Sequence, residues 1–405
     1  MARYFKGVAV KKLSAVEANP STSHQHEFNG TNVFKRILGT GEKKLFQARF
    51  VWMGDEQEAI TEDGSASWYD ARERHPTRSE YRLYYPNNAV MRAASEGDTL
   101  FVALRADASI MFIVVPKDST VEQQLLWLFG LAQQRSLLRV QAQEFVANDD
   151  GKLDFAVRHI LEELGIEPEE PEADELDAVL EKYGTAFPSM AEFSALARGS
   201  LRSVNAHDDP DDVIVRWMDR EEMLFRRLER RIIEKRINRG FGEGTAVDVD
   251  GFVGFSLSVQ NRRKARAGAA LENHLAELFS ARKVLYGRGC TTELRNRPDF
   301  LFPSCESYDN SSFPEACLSM LAAKSTLKER WRQILSEANR IPEKHLMTLS
   351  PGISFNQIAQ MQAERLRLVV PSNLHQTYHP TQRGWLMSLS QFIELVQARQ
   401  KQVLV

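Results

Sequence analysis

The chain has 405 residues, more than one ordinary hydrophobic core accommodates, so two domains are expected. With 43% apolar, 26% charged and 9% aromatic residues, the composition is that of a soluble globular protein. Its most apolar run, Ile110 to Val115, is far too short to span a bilayer, and the mixed, basic stretch from Met1 to Lys12 does not read as a secretory signal.

In chain order, residues 1 to 150 read as β-rich. Leu45 to Trp52 and Tyr81 to Tyr85 alternate in polarity, and Thr99 to Leu104 and Ile110 to Val115 are further short strands. Short strands with polar turns predict a small barrel, with Val121 to Leu131 as a closing helix. An acidic, proline-broken stretch, Glu167-Pro168-Glu169-Glu170-Pro171-Glu172, follows; residues 151–182 are therefore expected to form a solvated, mobile hinge. From Phe187 onward helices dominate: Val213 to Ile237, and Ala269 to Arg282 with Leu271, Leu275, Leu278 and Phe279 on one stripe. Strands are expected at Asp299 to Phe302, Leu318 to Ser325 and Leu366 to Val370. Leu327, Trp331, Ile334, Leu335, Ala338 and Ile341 predict an α-helix between the last two. This alternation makes residues 183–405 a mixed α/β domain.

The net charge of −3 hides a strong asymmetry. Ten acids and no bases fall between Glu162 and Glu181, so the rest of the chain carries a net +7. Arg216 to Arg239 holds nine cations against five acids, and Arg262, Arg263, Lys264 and Arg266 put four cations within six residues. Such clusters neutralise phosphates or line a solvated helix face. The three cysteines, Cys290, Cys305 and Cys317, fit no zinc spacing and are expected as structural thiols in a reducing compartment.

Chemistry is suggested first by Asp299, an acid entering an apolar strand, and by Lys324, a lysine in the otherwise apolar Met320-Leu321-Ala322-Ala323-Lys324. Each needs a partner. A buried ion pair satisfies both. So does a metal-dependent nuclease centre, in which a Pro-Asp dipeptide joins a later (D/E)-x-K tripeptide and the lysine orients water. The tripeptide fails here, because Ala322 stands where the second acid belongs. On an α-helix turning about 100° per residue, Glu337 and Arg330 fall about 20° apart at the edge of the buried face. Glu337 is therefore a candidate replacement acid, and Glu272 occupies a similar edge on its own helix.

The combined pattern resembles the EcoRII-type restriction endonucleases. It is carried by Asn261 to Gly268, Leu271-Glu272 with His274-Leu275, Pro298-Asp299 to Ser304, Leu321 to Thr326 running into Lys328 to Leu335, Glu337-Ala338, and Arg367 to Ser372 with Leu374-His375. The resemblance implies a restriction-endonuclease-like PD-(D/E)XK fold and Mg2+ held by Asp299 and Glu337. It further implies Lys324 as the catalytic lysine, Glu272 as an auxiliary acid, and Tyr308 and Arg262 near the centre. It makes Lys328-Glu329-Arg330 the reader of outer G·C pairs in a CC-x-GG site, where arginine donates to guanine and glutamate accepts from cytosine.

The N-terminal half resembles, more weakly, the effector domain of the same enzymes, a DNA-binding pseudobarrel of the plant B-three type. Lys11 to Ala15, His24-Gln25 and Thr77 to Arg82 carry that likeness. Arg78, Glu80 and Arg82 would share one strand face and, with His24, contact DNA; Tyr81 departs from the basic residue of the relative. Gly39 to Lys43 lacks the spacing of a phosphate loop, and His24-Gln25-His26 has no further ligand cluster.

The expectation is thus a bacterial or archaeal cytoplasmic homodimer cutting both strands of double-stranded DNA, without membrane contact. A cognate DNA methyltransferase would be its genetic partner, and its N-terminal domain would regulate it. A repair nuclease on the same core, or a non-catalytic DNA-binding regulator, are the competing readings.

Overall fold

The computed structural model describes residues 1–18, 26–55, 57–131, 140–145, 155–168, 173–184, 186–242, 247–327 and 329–403. The chain divides into two compact units. One comprises Met1–Leu153 with the short segments Pro351–Asn356 and Gln376–His379; the other comprises Asp154–Ser350, Gln357–His375 and Pro380–Val405.

The first unit is an eight-stranded sheet. Its strands are β1 (Phe5–Lys12), β2 (Glu27–Asn29), β3 (Lys44–Trp52), β4 (Ile60–Asp70), β5 (Tyr81–Tyr84), β6 (Thr99–Arg105), β7 (Ile110–Val115) and β8 (Gln141–Glu144), hydrogen-bonded in the order β2-β5-β4-β3-β7-β6-β1-β8. All neighbours are antiparallel except β3 and β7. Central β7 is buried at every position, as a strand covered on both faces requires. Phe50 and Phe112, partners across the β3–β7 register, stack at 4.7 Å within a core that includes Phe28, Phe34, Trp68 and Tyr85. Thr31 caps helix α1 (Asn32–Leu38), and Ser119 caps α2 (Thr120–Leu128), the helix expected after the last long strand. The expected shared strand face for Arg78, Glu80 and Arg82 is not observed. Of the three, Arg82 alone lies on β5; Arg78 and Glu80 belong to the irregular segment that precedes it.

In the second unit, helices surround a four-stranded sheet. They are α3 (Phe155–Glu163), α4 (Ala173–Leu180), α5 (Met190–Ser200), α6 (Pro210–Arg239), α7 (Val249–Ala281) and α8 (Leu389–Lys401). The start and stop of α6 are written locally: Asp209 caps it, Pro210 occupies its first turn, and Gly240 ends it at φ 75°. Leu271, Leu275, Leu278 and Phe279 of α7 are all fully buried, as their spacing predicts. The sheet runs β12 (Leu366–Val369), β11 (Lys344–Thr348), β10 (Ser319–Lys324), β9 (Phe300–Phe302); β10, β11 and β12 are parallel, and β9 is antiparallel to β10.

Three expectations are corrected. The supposed hinge contains two packed helices. Leu176 and Leu180 of α4 are fully buried in a core with Phe193, Leu224, Phe225 and Leu228, while Glu169 to Glu172 lie outside the described residues. The segment after Lys324 is not an α-helix but a 3-10 helix, Glu329–Ser336, with Glu337 immediately beyond it. The α-helical phase by which Glu337 and Arg330 were expected to share one edge therefore does not apply. Finally, Cys290 and Cys305 are joined in a disulfide, and Cys317 alone is a buried thiol. Their Cα atoms lie 5.5 Å apart because the strand-like segments Gly287 and Leu301 pair beside them.

Candidate active site

Sheet register builds the centre. Because β9 runs antiparallel to β10, with Phe300 opposite Leu321, Asp299 arrives beside the end of β10 that carries Lys324. Asp299 Oδ2 accepts from the Ala323 backbone N–H at 2.7 Å and from Lys324 Nζ at 3.0 Å. Asp299 Oδ1 makes no hydrogen bond among the described residues and remains available.

Two further carboxylates respond to the Asp299 charge. Burial, reinforced by Asp299, holds the Glu337 carboxyl above the ordinary carboxylate range, against the pull of Lys324 and Lys344. Its Oε2 is buried with no hydrogen-bond partner. Burial and then Asp299 likewise raise Glu272, which Arg288 binds at 2.8 Å. Asp299 thus repels two neighbouring glutamates, and among the described residues one buried Glu337 oxygen is unsatisfied. A divalent cation would relieve both conditions. Among the described residues no three His, Cys, Asp or Glu side chains converge closely enough to hold a metal by themselves. Magnesium, which keeps several waters and takes one or two carboxylates, does not require three.

Other candidates have different surroundings. The Tyr308 hydroxyl donates to Glu293, 2.7 Å from each of its oxygens, and receives the Arg340 backbone N–H at 3.4 Å. Burial and that carboxylate push the phenol up. Arg266 is buried and paired with Glu221 and Glu222, Arg263 is paired with Glu229, and Arg262 lies over the Phe187 ring at 4.7 Å. In the first unit, Arg82 is engaged by Glu80, Glu27 and Asn29, whereas Arg78 is exposed. His24 and Lys328 lie outside the described residues, as do the side chains of Lys264, Glu329 and Arg330.

A cleft of about 530 Å³ opens beside Lys324, Ser325 and Thr326, with Arg158, Arg226, Arg263 and Arg266 among its cations and Glu162 and Glu222 among its acids. Sequence reasoning missed Lys344, whose buried ammonium is lowered by burial against the opposing charges of Glu293 and Glu337. Its signal was akin to that of Lys324, a lysine at the end of a buried strand: Lys344 opens β11, and Lys324 closes β10. Arg288 and Glu293 offered no such signal, since both lie in irregular segments.

The chain resembles known proteins in sequence. The EcoRII C terminal family model matches residues 225–393. The type II restriction enzyme EcoRII of Escherichia coli is 40% identical over 214 residues, 53% of this chain and 51% of that enzyme. The chain therefore matches about half the length of that curated relative. Two solved structures, metal-depleted Ecl18kI in complex with uncleaved, modified DNA and with uncleaved DNA, superpose with TM-scores of 0.46 and 0.42 at 16% and 17% identity. Each covers 56% of this chain and 84% of its own, a likeness too distant to bear on the site. Among the described residues no helix is long and apolar enough to cross a membrane.

Proposed function

We propose that the protein is a magnesium-dependent type II restriction endonuclease that cuts both strands of a short CC-x-GG duplex. The observation that carries this reading is the Asp299–Lys324 pair on adjacent strands, flanked by Glu337 and Glu272. An ion pair serving stability alone would not gather two more carboxylates around its acid.

Asp299, through its uncommitted Oδ1, and Glu337, through its unsatisfied Oε2, would hold Mg2+. When bound, the ion would acidify a coordinated water and neutralise charge on the scissile phosphate. Lys324 Nζ, held by Asp299 Oδ2, would direct its remaining donors toward the attacking water and the phosphate oxygens. Arg288 keeps Glu272 from swinging onto Asp299. Tyr308 serves from behind, by locking Glu293 and the Arg340 backbone beyond Glu337. Lys328, Glu329 and Arg330 would read the outer G·C pairs. The first unit is read as a B-three-type pseudobarrel that binds a second DNA copy through His24, Arg78, Glu80 and Arg82 and regulates cutting. A homodimer would supply one centre for each strand.

Incubating unmethylated plasmid with the protein and Mg2+, then sequencing the ends, tests the reading. Ends clustered at one short palindrome support it; scattered ends point to a repair nuclease, and intact DNA under all conditions overturns it.

A further inference from the structure

The turn that leads into Asp299 has an arrangement that the proposed chemistry does not use. Leu294 is 82% exposed, the most exposed large hydrophobic residue among those described. Leu294 and Arg295 both adopt left-handed backbone, at φ 58° and 61°. That conformation is unfavourable for a residue bearing a side chain, and glycine would adopt it freely. Arg295 and Arg297 are exposed, and neither guanidinium has an ion-pair partner among the described residues.

This unfavourable turn is nonetheless held firmly. The Thr292 N–H donates to the Asn296 carbonyl at 2.9 Å, closing its base. Asn296 Nδ2 donates to the Ser336 carbonyl at 2.7 Å, and Glu293 accepts from the Asn339 N–H at 3.2 Å and from Tyr308. Ser336 and Asn339 bracket Glu337, so the turn is tied to the segments of both proposed metal ligands. At no more than about 3.6 Å per residue, Arg297 lies within about 7 Å of Asp299 along the backbone and Leu294 within about 18 Å. Strain maintained by the surrounding structure, with an apolar tip beside two unpaired cations, is a form suited to a ligand that is apolar inside and anionic outside.

We propose that this turn is a duplex-DNA wedge, with Leu294 pressed against base edges in the groove beside the scissile phosphate and Arg295 and Arg297 on the flanking backbone. The inference rests on the nuclease reading and adds to it a binding element outside the Lys328-Glu329-Arg330 reader. Apolar side chains inserted between base steps unstack them, and arginines on phosphates release counterions.

The test uses the full-length protein and a short unmethylated CCAGG duplex carrying 2-aminopurine at successive positions through and beside the sequence. It is run in Ca2+ so that binding is read without cutting. Leu294→Gly separates function from folding, because glycine suits φ 58°. We expect its melting temperature to hold or rise while the dissociation constant increases roughly tenfold, the worth of about 1.4 kcal/mol. The wild-type 2-aminopurine signal near the cut should disappear with it. Arg295→Ala and Arg297→Ala should each reduce the slope of log affinity against log salt by about 0.9. Variants that bind and unstack DNA as wild type does would overturn the wedge while leaving the nuclease reading intact. Failure of the wild type to bind any CC-x-GG duplex in Ca2+, together with failure to cut plasmid in Mg2+, would remove that reading. A shift in the sedimentation of DNA-free protein by Leu294→Gly would instead make the turn a protein contact and also overturn the proposal.

Discussion

At the scale of single residues, the centre depends on one lysine and one displaced acid. Lys324→Ala should reduce plasmid cutting by at least roughly 100-fold. Gel-shift binding to the same DNA should stay within a few-fold, since the cleft retains its arginines. Glu337→Gln keeps shape and removes charge; cleavage rates titrated against Mg2+ should show a weaker apparent metal affinity, with little recovery for Glu272→Gln used as the milder comparison. Equal cutting by Glu337→Gln and wild type would remove Glu337 from the metal site. Asp299 and Lys324 were legible in the sequence because a charge inside an apolar strand has few explanations. Glu337 was reached by an α-helical phase argument, yet the segment is 3-10. The Asp299 charge nonetheless adds to burial in raising the Glu337 carboxyl, a coupling that helical phase alone does not report.

At the scale of elements, the acidic stretch teaches the opposite lesson. Its Glu-Pro run suggested a solvated hinge, but Leu176, Val179 and Leu180 already carried helical spacing. The acids of α3 and α4 are taken up by the basic face of α6: Glu162 pairs with Arg226, Glu175 with Arg220 at 2.5 Å, and Asp177 with both Arg227 and Arg231 at 2.6 Å. The sequence displayed both charge clusters without showing that they meet. Hydrogen bonding from Arg227 holds the Asp177 carboxyl below the usual range. A depressed carboxylate contributes stability above its unfolded value, near pH 4, that is lost as pH falls through the folded value. Asp177→Asn should therefore lower the melting temperature at pH 7, and the difference from wild type should close on acidification below about pH 4. A gap unchanged by pH would show that packing of α4, not charge, holds it. In the 3-10 segment, Arg330→Ala should cost about 1–3 kcal/mol of discrimination at one guanine. Uniform weakening on every sequence would make Arg330 a phosphate contact.

Across the whole molecule, two units were legible from length and from the change of period near residue 150, because β-rich and helical patterns differ over long windows. The sheet order was not, since β3 and β7 pair in parallel across some sixty residues of intervening chain. The disulfide was also illegible: composition argued for free thiols, and only the approach of Gly287 to Leu301 brings Cys290 to Cys305. The proposed two-fold action has a direct measure. Sedimentation equilibrium should return twice the 46.1 kDa chain mass at micromolar concentration, and a monomer even in the presence of DNA would contradict paired cutting.

The contact between Asp299 and the main chain of Ala323 has a consequence for inheritance. A hydrogen bond to a backbone amide needs no particular side chain at position 323, only the N–H that proline lacks, so the acid and the lysine strand can stay in register while side chains around them drift. The exposed tip Ser311-Ser312, between the two strands, is correspondingly free to lengthen. Lineages of this domain should differ there in loop size before they differ in the spacing of the two charges, and a peptide tag inserted between those serines should leave cutting intact.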